Sequence, residues 1–150
     1  MAAEIAFADS DEDVRGCFEL MRELRPHLAS EDEFVTRWRR QTAASYRLLV
    51  LSQDGRPAAL AGFRVQENLV HGRFLYVDDL VTRADRRSAG FGGALLDRLK
   101  REATDLGCDK LVLDTPMSNF LGHRFYFRQG LLAKALRFSF DRTTSQPSSR

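Results

Sequence analysis

The sequence predicts an α/β fold built on a mixed, largely antiparallel central sheet with helices on both faces. Three observations carry that expectation. Two β-rich runs, Tyr46 to Gln53 and Ala58 to Gln66, flank the turn Asp54-Gly55-Arg56-Pro57 and read as an antiparallel hairpin. A third run, Phe74 to Thr82, pairs next and leads through a glycine-rich junction into a stretch from Ala94 to Leu106. There Leu95, Leu96, Leu99, Ala103 and Leu106 recur on one helical face. Finally, the segments before and after this centre alternate between strand-like and helix-like patterns.

In chain order, Glu4 to Ala8 alternates as a short strand. Ser10 then caps a helix whose Val14, Cys17, Phe18, Met21 and Leu24 share a face, and Pro26 ends it. Ser30-Glu31-Asp32-Glu33 is a capping box opening a second helix through Phe34 and Trp38 to about Ala43. After the hairpin, the third strand and the long helix, Gly107 supplies a C-terminal stop. Lys110 to Thr115 reads as a strand interrupted by Pro116, and Asn119 caps a helix through Gln129 that Gly130 closes. Leu131 to Phe140 is expected as a last strand. A single domain over residues 1–141 follows, with 142–150, which lack apolar side chains, as a disordered tail.

Composition narrows the functional classes. With 150 residues, 43% hydrophobic and 29% charged, the chain has the make-up of one globular domain. No stretch of about 20 apolar residues offers a membrane span, and the first residues lack the basic-then-apolar pattern of a secretory signal, so an intracellular, cytoplasmic protein is expected. Lys and Arg exceed Asp and Glu by 23 to 21, a balance too even to argue for nucleic acid, and Arg37-Trp38-Arg39-Arg40 reads as one buried aromatic beside solvated cations. Cys17 and Cys108 read as small core hydrophobes, and with His27 and His71 they lack metal-ligand spacing, so no metal is expected.

The chemistry lies at Arg87-Ser88-Ala89-Gly90-Phe91-Gly92-Gly93, between the third strand and the long helix. Small residues opening a helix leave backbone N–H groups unpaired where the helix dipole also favours an anion, so the junction can wrap a pyrophosphate; Arg86 and Arg87 add positive charge. A packing turn is the competing reading. Neither a P-loop nor a Rossmann fingerprint fits these residues.

Arg87-Ser88-Ala89-Gly90-Phe91-Gly92 after Leu80-Val81-Thr82 resembles the [RQ]-x-x-G-x-[GA] signature of the GCN5-related N-acetyltransferase (GNAT) superfamily. Asn119, Gly122, Phe125, Tyr126 and Gly130 resemble its N-x-x-A-x-x-[FL]-Y-x-x-x-G pattern. Ser88, Thr82 and Gly122 depart from the commoner Gly, Val and Ala. The resemblance covers nearly the whole domain and implies acetyl-CoA as co-substrate and an amine acceptor, small molecule or peptide. It implies that Leu80, Val81 and Thr82 pair with the pantetheine arm, that Arg87, Ser88, Ala89, Gly90, Phe91, Gly92 and Gly93 hold the pyrophosphate, that Asn119 binds near the thiol, and that Tyr126 protonates the departing thiolate.

Tyr76-Val77-Asp78-Asp79-Leu80 is similar to a Tyr-Leu-Glu-Asp strand of diamine and related acetyltransferases, which makes Asp78 the candidate base, through water. The two aspartates are expected on opposite sides of the sheet, and ion pairs with Arg83 and Arg86 are the alternative. Acid in the cleft favours a cationic acceptor. Direct attack in a ternary complex is expected, since no activated Cys or Ser lies near the loop. A non-catalytic acyl-CoA-binding module is the alternative function, and a homodimer through the 133–140 edge is expected.

Overall fold

A computed structural model describes residues 3–143, which divide after Leu113 into two compact units. The first unit holds a five-stranded sheet in the order β1 (Ala3–Phe7), β2 (Arg47–Gln53), β3 (Arg56–Asn68), β4 (Gly72–Thr82), β5 (Lys110–Leu113). Neighbours from β1 to β4 are antiparallel and β5 joins β4 in parallel, so the sheet is mixed and mostly antiparallel, as expected. The β2–β3 loop is the two residues Asp54 and Gly55, both at positive φ (54° and 76°), the backbone form that matches the twist of a tight hairpin.

Three helices cover one face: α1 (Asp11–Arg15), α2 (Phe18–Leu24) and α3 (Glu31–Thr42). The single helix expected from Ser10 to Pro26 is broken at Gly16 and Cys17, where Cys17 N bonds back only three residues to Val14 O. Ser10 Oγ and Ser30 Oγ each accept from the third amide beyond, at 3.1 Å, as their capping signatures require. Val14, Phe18, Met21, Phe34 and Val35 pack with Leu48, Leu60 and Val81 from the sheet.

Because side chains alternate along a strand, the buried Leu49 and Leu51 point to the opposite face. There α4 (Phe91–Asp105) lays its fully buried Leu95, Leu96 and Leu99 against the sheet. Burying three leucines contributes on the order of 5 kcal/mol. Helices therefore flank both faces.

The second unit contains α5 (Phe120–Arg128), with Asn119 as its N-cap. The strand expected at 131–140 is absent: these residues form no ladder, and Leu132, Leu136, Phe138 and Phe140 are exposed. Alternation tells which face a strand would present, but a strand also needs a neighbouring edge to satisfy its amides, and residues 131–140 bond to none. Arg142 and Thr143 form a turn, and the rest of the expected tail, 144–150, lies outside the described residues. No helix among the described residues is long and apolar enough to cross a membrane, and they hold no cluster of three metal-ligating side chains.

Candidate active site

The site begins with a fault in the β3–β4 ladder. Phe63 pairs with Val77 and Gly62 with Asp79, leaving Asp78 as an extra residue, a β-bulge. The bulge shifts the phase of the strand, so Asp78 and Asp79 both line one cavity of about 300 Å³ under α2 and α3. This corrects the expectation that the two carboxylates face opposite sides of the sheet, which held only for an unbroken two-residue period.

Both carboxylates are engaged. Asp78 takes a two-pronged bond from Arg64, Nε at 2.8 Å and Nη2 at 2.7 Å, on a pair that is partly buried. Asp78, through that hydrogen bond, holds the Arg64 guanidinium above its ordinary pKa. Asp79 accepts from Arg25 Nε at 2.9 Å and from the Tyr46 hydroxyl at 2.7 Å, and Arg25 Nη2 also reaches Asp78 O at 2.8 Å. Burial, followed by the adjacent Asp79 charge, pushes the Tyr46 phenol well above its ordinary pKa, so it stays a donor. The partners expected for the aspartates, Arg83 and Arg86, lie elsewhere: Arg83 bonds Asp85, and Arg86 bonds Gln53.

Gly62 makes the Tyr46–Asp79 bond possible. A Cβ at this position would overlap the Tyr46 hydroxyl and come within 2.5 Å of Cζ, so the phenol crosses β3 only over a bare Cα. Arg25, Tyr46, Gly62 and Arg64 were not picked out as site residues. The available signals were a glycine inside a strand run and an arginine two residues after it.

Past the bulge, β4 has one open edge. Arg83 N bonds Ala58 O at 2.8 Å, so by alternation the backbone groups of Leu80 and Thr82 face away from β3. On that side β5 pairs only from Phe74↔Lys110 to Val77↔Leu113 and goes no further. The two parallel strands part at the bulge, and the edge of Leu80 and Thr82 pairs with no strand among the described residues.

From Thr82 the chain makes a 3-10 turn over Ala84–Arg86 and enters α4 through Gly90, its N-cap at φ 81°. The first α4 bond is Ala94 N to Gly90 O, so the amides from Gly90 to Gly93 precede the helical ladder. Helix begins at Phe91, three residues before the expected Ala94. The side chain of Phe91 is buried and anchors the turn, whereas Arg87, Ser88, Ala89 and Gly90 are exposed. A cradle of free amides at a helix N-terminus suits a phosphate group.

In the second unit, Asn119 Oδ1 accepts from Gly122 N at 3.1 Å and its Nδ2 donates to Thr115 Oγ1 at 2.9 Å, so the side chain is occupied in capping α5. Gly122 lacks the Cβ that would overlap that amide, which accounts for glycine at this position. Tyr126 is half-buried, with its ring edge-on to Phe125 at 5.2 Å, and burial raises its pKa. His123 Nε2 lies 3.0 Å from Pro116 O, a local tie. Burial pushes the Cys17 thiol up to about 12 and also raises Cys108, so neither is an activated nucleophile.

A mixed, mostly antiparallel sheet with helices on both faces is the fold of acetyltransferases of known structure. The chain belongs to the Acetyltransferase (GNAT) family, whose model it matches over residues 12–131. It is 31% identical over 117 residues to an uncharacterised N-acetyltransferase, YhdJ, of Bacillus subtilis (strain 168), covering 78% of this chain and 82% of that protein. Its fold is similar to a Trypanosoma brucei acetyltransferase, with TM-score 0.78 and 23% identity over 93% of this chain and 99% of that one. It is also similar to AAC(6')-Iy solved with a bisubstrate analogue of CoA, with TM-score 0.81 and 16% identity over 95% and 99% of the two chains.

Proposed function

We propose that this enzyme transfers the acetyl group of acetyl-CoA to a primary amine by direct attack within a ternary complex. The observation that carries this reading is the open β4 edge at Leu80–Thr82 running straight into the amide-lined start of α4, in a chain of the acetyltransferase family. An extended pantetheine arm carries amides of its own and can pair with Leu80 and Thr82 as a strand would. The pyrophosphate then falls to Arg87 and the residues from Ser88 to Gly93.

In the reaction, the amine lone pair attacks the thioester carbonyl, and the amide of Thr82 or a neighbour stabilises the oxyanion. The C–S bond breaks, and Tyr126, kept protonated by burial, gives its proton to the thiolate. Both carboxylate oxygens of Asp78 already accept from Arg64, so neither is left open to the amine itself. The proton leaving the amine therefore passes to water held beside Asp78 and Asp79. No acyl-enzyme is required, as neither cysteine is activated.

Thiol release coupled to a panel of amines tests the proposal. Turnover that needs both acetyl-CoA and an amine is expected. Calorimetry that finds no association of folded protein with CoA or its thioesters would overturn it.

A further inference from the structure

We propose that the acceptor carries an anionic group, a carboxylate or a phosphate, besides its amine, and that Arg37 is the residue that selects it. The inference rests on the acetyltransferase reading above and concerns the cavity under α2 and α3.

That cavity has an apolar wall of Met21, Leu28, Phe34 and Trp38, and its volume of about 300 Å³ is at the small end for ligand pockets, right for a small amine. Acid alone on its floor would favour a di- or polycation. The carboxylates, however, are already matched to cations: both oxygens of Asp78 to Arg64, those of Asp79 to Arg25 and Tyr46. A second ammonium would meet Arg25 and Arg37 across the cavity without an uncommitted carboxylate to hold it.

Arg37 has the opposite profile. Its Nη2 pairs with Glu33 one turn earlier on α3 at 2.9 Å, while its Nε, buried from solvent, has no hydrogen-bond partner in the structure. A buried guanidinium N–H is costly to leave unpaired and forms its strongest bonds with carboxylate or phosphate oxygen. Arg25 lines the same cavity as Arg37, and Asp78 and Asp79 line it too, so the cavity presents both signs of charge to an acceptor that carries both. The amine end of such an acceptor is directed towards Asp78 and Asp79, and its anionic end towards Arg37.

Matched acceptors test this. Steady-state kcat/KM is measured with acetyl-CoA for 5-aminopentanoate against pentylamine and 1,5-diaminopentane, and for phosphoethanolamine against ethanolamine; the two sets separate carboxylate from phosphate. At least one anionic member is expected to exceed its uncharged partner by about tenfold or more, the size of one charge-assisted hydrogen bond. Arg37→Gln is expected to bring that ratio towards one, chiefly through KM for the anionic member, and Arg37→Lys to fall between. Preference for the diamine or the uncharged amines overturns the inference. So does an Arg37→Gln variant that lowers all members alike, or failure of every anionic member on protein that binds acetyl-CoA. Calorimetry on the same preparations separates the two levels: loss of acetyl-CoA binding overturns the acetyltransferase reading itself.

Discussion

Replacing Tyr46 by phenylalanine removes one oxygen from the lining of the cavity under α2 and α3. The hydroxyl donates to the Asp79 carboxylate at 2.7 Å from a side chain that is 4% exposed, and Asp79 keeps only Arg25 as a partner once it is gone. A hydrogen bond to a charged group contributes about 1.5–3 kcal/mol, so Tyr46→Phe is expected to destabilise the fold by about 2 kcal/mol, or to lower Tm by about 5 °C for a domain of this size. The pH dependence gives a sharper signature. The folded-state pKa of Tyr46 lies well above the ordinary 10.0 of the unfolded chain, so the folded state holds a proton that the unfolded state releases. The contribution of Tyr46 is therefore fully present below about pH 10 and is lost as pH rises towards its folded pKa. Urea unfolding of both proteins at pH 7.5 and 10.5 should show a gap that narrows at the higher pH. A gap equal at both pH values, or under about 0.5 kcal/mol at pH 7.5, would refute the reasoning.

Other expectations follow from single sites. Tyr126→Phe should lower kcat at least tenfold with little change in acetyl-CoA affinity, as general-acid contributions run to about 10²–10⁴; an unchanged kcat would remove Tyr126 from that role, whereas wild-type protein that binds acetyl-CoA but turns over no amine would favour a non-catalytic acyl-CoA-binding module. In the wild type, the alkaline limb of kcat set by this phenol should lie above its ordinary 10.0, since burial raises its pKa. Gly90→Ala meets nothing within 4 Å but must hold φ 81°, so a cost of about 1–2 kcal/mol in stability, together with weaker acetyl-CoA binding by calorimetry, is expected. Gly122→Ala should displace the Asn119 cap and cost about 1 kcal/mol in a thermal melt. Native protein treated with a thiol reagent should lose Cys108 before Cys17, as mass spectrometry can follow.

Much of the framework was legible because it is written in local chemistry. Ser10 and Ser30 announce helix starts, Asp54-Gly55 a tight turn, and the spacing of Leu95, Leu96 and Leu99 a buried helical face, and each needs only a few neighbouring residues to act. The glycine-rich junction was legible for the same reason. The cavity under α2 and α3 was not, because its arrangement depends on long-range pairing. The bulge at Asp78 exists only through its register with Gly62, and Arg25 meets Asp79 across 54 residues of chain. The alternating pattern of 131–140 misled in the other direction: it specifies a face and supplies no edge to pair with.

The dislocation at Asp78 gives β4 a mechanical role. The backbone that carries Asp79 into the cavity continues directly into Leu80 and, two residues on, Thr82, whose amides are proposed to serve the other substrate. A shift at either end is transmitted along a stiff extended strand, so occupancy of one compartment should alter the dissociation constant of the other, and by the same factor in both directions.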